Sequence, residues 1–276
     1  MTPGALKKIF EHDFAAAGIE TPAVDAARLI SEVSGIPELE MFLHPERELD
    51  DDMENTLRQL AARRCSREPL QYITGKAYFR DIVLDVDPHV LIPRPETELL
   101  VDFVINKLPV NGRLLDIGTG SGTIAVSTAV ERRDVRVTAV DVSYEALQIA
   151  EKNAEKYGVE IRFIESDLFS ALAGEWFDVI SANLPYVTED EYKDLAPEVR
   201  SHEPVLALVA ADDGFELIRR TAEALSDHLF PGGSAIFELA PAQAPRLQKL
   251  LQSLGFGSGV IRDLAGRDRF VTAEKI

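Results

Sequence analysis

Arg113-Leu114-Leu115-Asp116-Ile117-Gly118-Thr119-Gly120-Ser121-Gly122 is the stretch that decides the fold. A short apolar run that stops at glycine reads as a buried strand followed by a tight turn. A helix is expected to follow through Val130. The same rhythm repeats downstream. Val135–Val140 reads as a second strand, then Ser143 caps a helix that Gly158 terminates. Ile161–Ile164, Phe177–Ala182 and Gly233–Leu239 read as further strands. Between the last two, Phe215, Ile218, Ala222, Leu225 and Leu229 step along one helical face. Strands alternating with helices imply an α/β fold: a mostly parallel sheet with helices on both faces. No internal repeat or low-complexity segment interrupts it.

Upstream the pattern differs. Leu6, Ile9, Phe10 and Phe14, then Val24, Ala27, Leu29 and Ile30, recur at helical spacing. Gly18, Thr21-Pro22, Gly35 and Pro37 cut this region into short helices. Tyr78–Val86 is β-branched and aromatic, and reads as a linking β-hairpin that Pro93-Arg94-Pro95 stops. Thr97 is expected to cap a helix beginning at Glu98. The expected domains are therefore residues 1–72, helical, for docking; 73–92, a hairpin linker; and 93–276, the α/β domain.

Composition narrows the chemistry. The net charge of −18 repels phosphate backbones, so direct nucleic-acid binding is not expected. One cysteine, Cys65, excludes an intrachain disulfide and a cysteine metal cluster. His12, His44, His89, His202 and His228 are scattered, so no metal is expected. The N-terminus lacks a signal-like apolar stretch and no run approaches a membrane span, so a cytoplasmic protein without membrane partners is expected. It is also expected to be a monomer.

The candidate site lies at successive strand ends. Gly118, Gly120 and Gly122, with Thr119 and Ser121 between them, permit positive φ and close backbone approach at the carboxyl edge of the sheet. Alone this motif is weak. Asp141 ends the second strand, where an acid can accept both hydroxyls of a ribose. Asp167 follows the third, where it can accept from an adenine amino group while Leu168 covers the ring. Each acid alone can equally be a cap or a loop residue; together they describe an adenosine pocket. The spacing is G-x-G-x-G rather than the G-x-G-x-x-G that suits a pyrophosphate. It is similar to the loop of class I S-adenosylmethionine methyltransferases.

Asn183-Leu184-Pro185-Tyr186 ends the fourth strand. An amide or exocyclic amino nitrogen is a poor nucleophile because its lone pair is delocalised. Two acceptors on its N–H bonds, the Asn183 side-chain oxygen and the Leu184 carbonyl, can orient it and stabilise the developing positive charge. Pro185 stiffens the turn, and Tyr186 offers a flat face for a planar group. These four residues do not choose between glutamine and adenine.

Longer signatures resemble the release factor glutamine methyltransferases, the PrmC or HemK family. They are Arg63-Arg64 with Glu68–Gly75, Val90–Glu98, Glu203-Pro204 with Leu206–Leu208, Asp213-Gly214, Pro231–Gly233 and Asp263–Arg269. Val90–Glu98 is the most distinctive. The resemblance implies a Rossmann-like class I methyltransferase sheet with a small N-terminal helical domain. It implies methyl transfer from S-adenosylmethionine, leaving S-adenosylhomocysteine, to the Gly-Gly-Gln glutamine of peptide chain release factors. Carried over by position, Gly118–Gly122, Asp141, Leu168 and Asn183 would contact the cofactor, and Asn183–Tyr186 the glutamine. Asp167 is added from strand-end position alone. Arg94 and Glu96 are expected to line the cleft without assigned roles. One position departs: the family writes Asn-Pro-Pro-Tyr, whereas Leu184 makes the motif similar to the Asn-Leu-Pro-Tyr of adenine-N6 methyltransferases. That change keeps the carbonyl, adds an N–H and loosens φ. An RNA or DNA adenine acceptor is thus the alternative.

Overall fold

The computed structural model describes residues 1–44 and 46–276. They divide into two compact units: Met1–Lys76 with Ala196–His202, and Ala77–Leu195 with Glu203–Ile276.

The first unit is helical: Pro3–Ala16, Pro22–Ser34, Glu38–Leu43, Asp51–Cys65 and Leu70–Thr74, joined by Pro197–His202. Its boundaries are written locally. Thr2 and Asp50 accept from Ala5 and Met53 backbone N–H groups, and Gly35 and Gly75 end helices in the left-handed conformation. Leu6, Phe10, Phe14, Leu29, Ile30 and Leu57 fill the core. Val24, expected on the buried face, is 60% exposed; Ala26, two residues on, is fully buried in its place. The segment 196–202 is held by charge. Buried Arg64 donates through Nε to Asp25 at 2.7 Å and through both terminal nitrogens to Glu198 at 3.2 Å, while Arg67 reaches Glu198 at 2.6 Å.

A hairpin, β1 (Lys76–Phe79) and β2 (Ile82–Asp85), lies in the second unit except for its first residue. The hairpin ends at Asp85, well before Pro93, because its pairing is finished by a helix rather than by proline. The Asn153 side chain accepts from Asp85 N–H at 2.7 Å and donates to its carbonyl at 3.0 Å; the Tyr157 hydroxyl does the same at Val83. The main sheet contains β3 (Arg113–Ile117), β4 (Arg136–Asp141), β5 (Ile161–Glu165), β6 (Phe177–Asn183), β7 (Leu229–Glu238), β8 (Phe256–Arg262) and β9 (Asp268–Lys275). Its order is β5-β4-β3-β6-β7-β9-β8, parallel from β5 to β7, with β9 antiparallel to both neighbours. Helices on both faces cover it, as expected. The expected strands are all present: β3 has the expected bounds, β4 is displaced by one residue, β5 and β6 end one residue later, and β7 starts four residues earlier, at Leu229. β8 and β9 were not expected; Gly257 and Gly259 blur the alternation of β8.

Thr97 does not cap the helix, contrary to expectation. Glu96 occupies the cap position and Thr97 is the first residue of the helix Thr97–Lys107. Its hydroxyl instead donates to Glu238. Leu114, Leu115, Val140, Val179, Ile180 and Ile236 make the sheet's interior. The sheet order reverses direction beside β3, the topological switch point where open α/β sheets bind ligands.

Candidate active site

A cavity of about 540 Å³ opens at the carboxyl ends of β3, β4 and β6. That is within the ordinary range for a small-molecule site. Gly118–Ser121, Asp141, Asp167, Leu168 and Asn183–Pro185 line it, together with Arg94 and Thr97. Residues far apart in sequence are thus brought to one wall. Gly122 and Tyr186, both expected at the site, are not part of that wall.

The glycine turn is shaped from below. Gly118, Gly120 and Gly122 have φ of 71°, 56° and 83°, the left-handed region where a side chain strains the backbone. The cradle has two different tolerances. A Cβ on Gly118 would lie 3.1 Å from Leu184 Cδ2, and one on Gly122 would lie 2.9 Å from Val126 and 3.2 Å from Ala150. Gly122 therefore serves helix packing. Gly120 has open space where its Cβ would be.

Asp116, fully buried at the end of β3, was read only as part of the strand. Its Oδ2 accepts from the Thr119 hydroxyl at 2.7 Å and its Oδ1 from the Ser181 hydroxyl at 2.8 Å. It thereby ties the turn to β6. Burial pushes its carboxyl up to about 6, against the pull of Thr119, Ser181 and the Ala125 N–H. Asn153 adds a second tie, donating to the Ser121 carbonyl at 2.9 Å.

Asp141 faces the cavity from the end of β4. Its two oxygens accept from Gly120 N–H at 2.9 Å and Ser143 N–H at 3.0 Å. Burial raises its pKa, and those N–H groups oppose the rise. The Val142 N–H opposes the rise as well, and the carboxylate keeps acceptor capacity toward the cavity. Asp167 is half exposed, and Arg220 donates to its Oδ2 at 2.7 Å. Leu168 is buried with φ of 51°, a conformation held by Ser166, which donates to the Leu168 carbonyl at 2.8 Å and accepts from Ala171 N–H at 3.1 Å.

The Asn183 side chain reaches its neighbours through a relay. Its Nδ2 donates to Thr97 Oγ1 at 3.4 Å, and Thr97 donates to Glu238 Oε2 at 2.8 Å. Glu238 stands beside Asn183 in the sheet register and is buried. Burial pushes its carboxyl up to about 7, opposed by Thr97 and by the Arg269 and Arg94 charges. The Leu184 side chain is buried against Gly118, so packing explains it. Tyr186 is half buried, and burial raises its phenol pKa.

The turn is also braced from behind. Gln243 donates to the carbonyls of Tyr186 and Gly214, each at 3.1 Å. Asp212, Asp213 and Gly214 have φ of 53°, 54° and 72°, and a Cβ on Gly214 would run into the Tyr186 carbonyl oxygen. This accounts for the glycine of Asp213-Gly214. Arg94 donates to buried Glu203 at 2.6 Å, and Glu203 also accepts from Ile92 N–H at 3.2 Å. Glu96 is paired instead with Arg267 at 3.3 Å. Glu238 follows the same strand-end rule that identified Asp141 and could have been found by it. Glu203 and Gln243 leave no comparable local signal. Among the described residues, no cluster of three or more metal-binding side chains occurs, and no helix is long and apolar enough to cross a membrane.

The donor and acceptor set suits a nucleoside bearing no phosphate, with a planar amide or amine held beside it. The chain is similar to known proteins. Residues 6–75 match the PrmC N-terminal domain and residues 95–199 the methyltransferase small domain. The release factor glutamine methyltransferase of Deinococcus radiodurans is 37% identical over 261 residues, covering 94% of this chain and 93% of that protein. That of Koribacter versatilis is 39% identical over 265 residues, covering 94% of each. The structure of the T. thermophilus 16S rRNA N2 G1207 methyltransferase, in complex with AdoMet and guanosine, matches with a TM-score of 0.55 at 19% identity. It covers 73% of this chain and 50% of that one, a likeness of fold.

Proposed function

The chain belongs to the release factor glutamine methyltransferase family, and we propose the roles by which its own residues methylate the side-chain nitrogen (N5) of the Gly-Gly-Gln glutamine in peptide chain release factors. The observation that carries the reading is the placement of Asn183–Pro185 on the same cavity wall as the glycine turn and Asp141. S-adenosylmethionine, when bound, supplies an electrophilic methyl group on its sulfonium.

The protein's task is positioning and electrostatics. The open space beside Gly120 would let the cofactor lie against the glycine turn. Asp141 accepts from the ribose hydroxyls. Asp167, through the oxygen that Arg220 leaves free, accepts from the adenine amino group, and Leu168 covers the ring. Asn183 Oδ1 and the Leu184 carbonyl accept from the two N–H bonds of the glutamine amide. We assign Tyr186 to stacking on that amide. Both acceptors gain strength as positive charge grows on nitrogen, so they favour the transition state over the bound substrate. No strong base is needed beforehand, because the proton becomes acidic once the methyl is attached.

Docking of the release factor we assign to the helical unit within residues 1–72. Its helix Glu38–Leu43 leaves Leu39, Phe42 and Leu43 exposed, with Phe42 at 80%. Exposed apolar side chains side by side favour a protein partner. A cytoplasmic, monomeric protein completes the proposal. The test is mass spectrometry of a release factor incubated with the protein and S-adenosylmethionine. One added methyl on the Gly-Gly-Gln peptide is expected; an unmodified peptide with label entering RNA would establish the adenine alternative.

A further inference from the structure

We propose that Thr97 and Glu238 are positioning residues that fix which end of the Asn183 amide faces the cavity. The inference rests on the reading of Asn183 as the acceptor for the substrate amide. That reading needs Oδ1 toward the substrate; an amide turned the other way would set its NH2 against the substrate's own N–H bonds. Nothing within the Asn183-Leu184-Pro185-Tyr186 turn makes this choice.

The relay makes it. A threonine hydroxyl has one proton and two lone pairs. An ionised carboxylate only accepts, so Glu238 takes the Thr97 proton at 2.8 Å. Only lone pairs then remain on Thr97 Oγ1, and the Asn183 atom facing it at 3.4 Å must be the donor, Nδ2. Oδ1 is left pointing the other way. Thr97 and Glu238 are each only 2% exposed, so water does not compete for these groups. A buried carboxylate is costly where an apolar residue would pack as well. Its position beside Asn183 in the sheet register gives it a use.

Protonation would release the choice. A Glu238 carboxylic acid can donate to Thr97 Oγ1, which frees the Thr97 proton for Asn183 Oδ1 and turns the amide over. Charged and titratable groups facing Glu238 are Arg269 on β9, Arg94 and Glu96 before the helix Thr97–Lys107, and Tyr186 after β6. Arg269 and Arg94 favour the carboxylate, Glu96 opposes it, and burial raises the pKa to about 7. Turnover should therefore rise through neutral pH.

The experiment measures single-turnover methylation of a release factor from pH 5.5 to 8.5, with S-adenosylmethionine affinity by calorimetry. Thr97→Val keeps the shape and removes the hydroxyl; its rate is expected to fall about 10- to 100-fold, less than loss of a direct acceptor, with cofactor affinity within about threefold. Thr97→Ser is expected to restore the rate to within about threefold. Glu238→Gln is expected to abolish the limb near neutral pH. A Thr97→Val rate equal to the parent, a Thr97→Ser rate as low as that of Thr97→Val, or an unchanged limb in Glu238→Gln would each overturn the proposal. Asn183→Ala separates the two ideas. Full activity in that variant defeats the acceptor reading itself, whereas its loss beside an active Thr97→Val defeats only the relay.

Discussion

Replacing Asp116 by asparagine should change how stability depends on pH, with a sign opposite to that of a paired surface acid. The carboxyl is fully buried beneath the glycine turn. Burial raises its pKa from the ordinary 3.8 to about 6 in the folded protein. Below the ordinary value both folded and unfolded chains hold the proton, and the group adds no pH dependence. Between the two values the unfolded chain has lost its proton and the folded chain has not. Stability then falls as pH rises, and the fall is complete once the folded carboxyl has ionised. The gap corresponds to about 3 kcal/mol at roughly 1.4 kcal/mol per pKa unit. The amide introduced by Asp116→Asn cannot ionise, so subtracting the variant's unfolding free energy from the parent's should give a curve that drops by about 3 kcal/mol from pH 3 to pH 8. Urea unfolding at half-unit pH steps measures it. A constant offset is expected too, because an amide presents one acceptor where Thr119 and Ser181 now donate to two oxygens. A flat difference curve would refute the reasoning. A curve rising with pH would mean that the donors around Asp116 outweigh its burial.

Further outcomes follow from the site's construction. Asn183→Ala should lower the methylation rate by about 10²- to 10³-fold, the loss expected of one transition-state contact, while calorimetry finds cofactor affinity much less affected. Gly214→Ala should destabilise the protein by about 2–4 kcal/mol in thermal or urea unfolding, since a left-handed φ and a clash with the Tyr186 carbonyl combine. Phe42→Ser should raise KM for an intact release factor about tenfold, as loss of one buried aromatic anchor would. The same substitution should leave KM for a short Gly-Gly-Gln peptide unchanged; equal effects on both would remove the helical unit from docking.

A methyltransferase of this kind has no strongly basic catalyst to advertise it. Its proposed site is a set of acceptors held still, and several of the buried polar groups hold them. Asp116 and Asn153 fix the glycine turn, Ser166 fixes Leu168, and Gln243 with Gly214 fixes the carbonyl of Tyr186. The glycine turn and Asn183–Tyr186 were visible in the sequence because each is a contiguous motif. Their supports were harder to see: Asp116 and Ser166 lie two residues from the segments they hold but have the local look of a strand and a loop residue, while Asn153 and Gln243 come from other elements.

The sequence by itself determined the parts whose signals span only a few residues. Short continuous apolar runs between helical stretches marked the parallel strands, Ser143 and Gly158 marked a helix's ends, and Asp141 stood out as an acid closing a strand. The run Val90–Glu98 separated this family from other methyltransferases. Tertiary structure alone decided which distant residues meet. Thr97 lies 141 residues from Glu238, and Arg94 lies 109 from Glu203. Those pairings depend on strand order, which local propensity does not encode. Thr97 shows the consequence: a threonine ahead of an apolar helix has the local look of a cap, but once β6 and β7 lie side by side its hydroxyl joins Asn183 to a buried carboxylate instead.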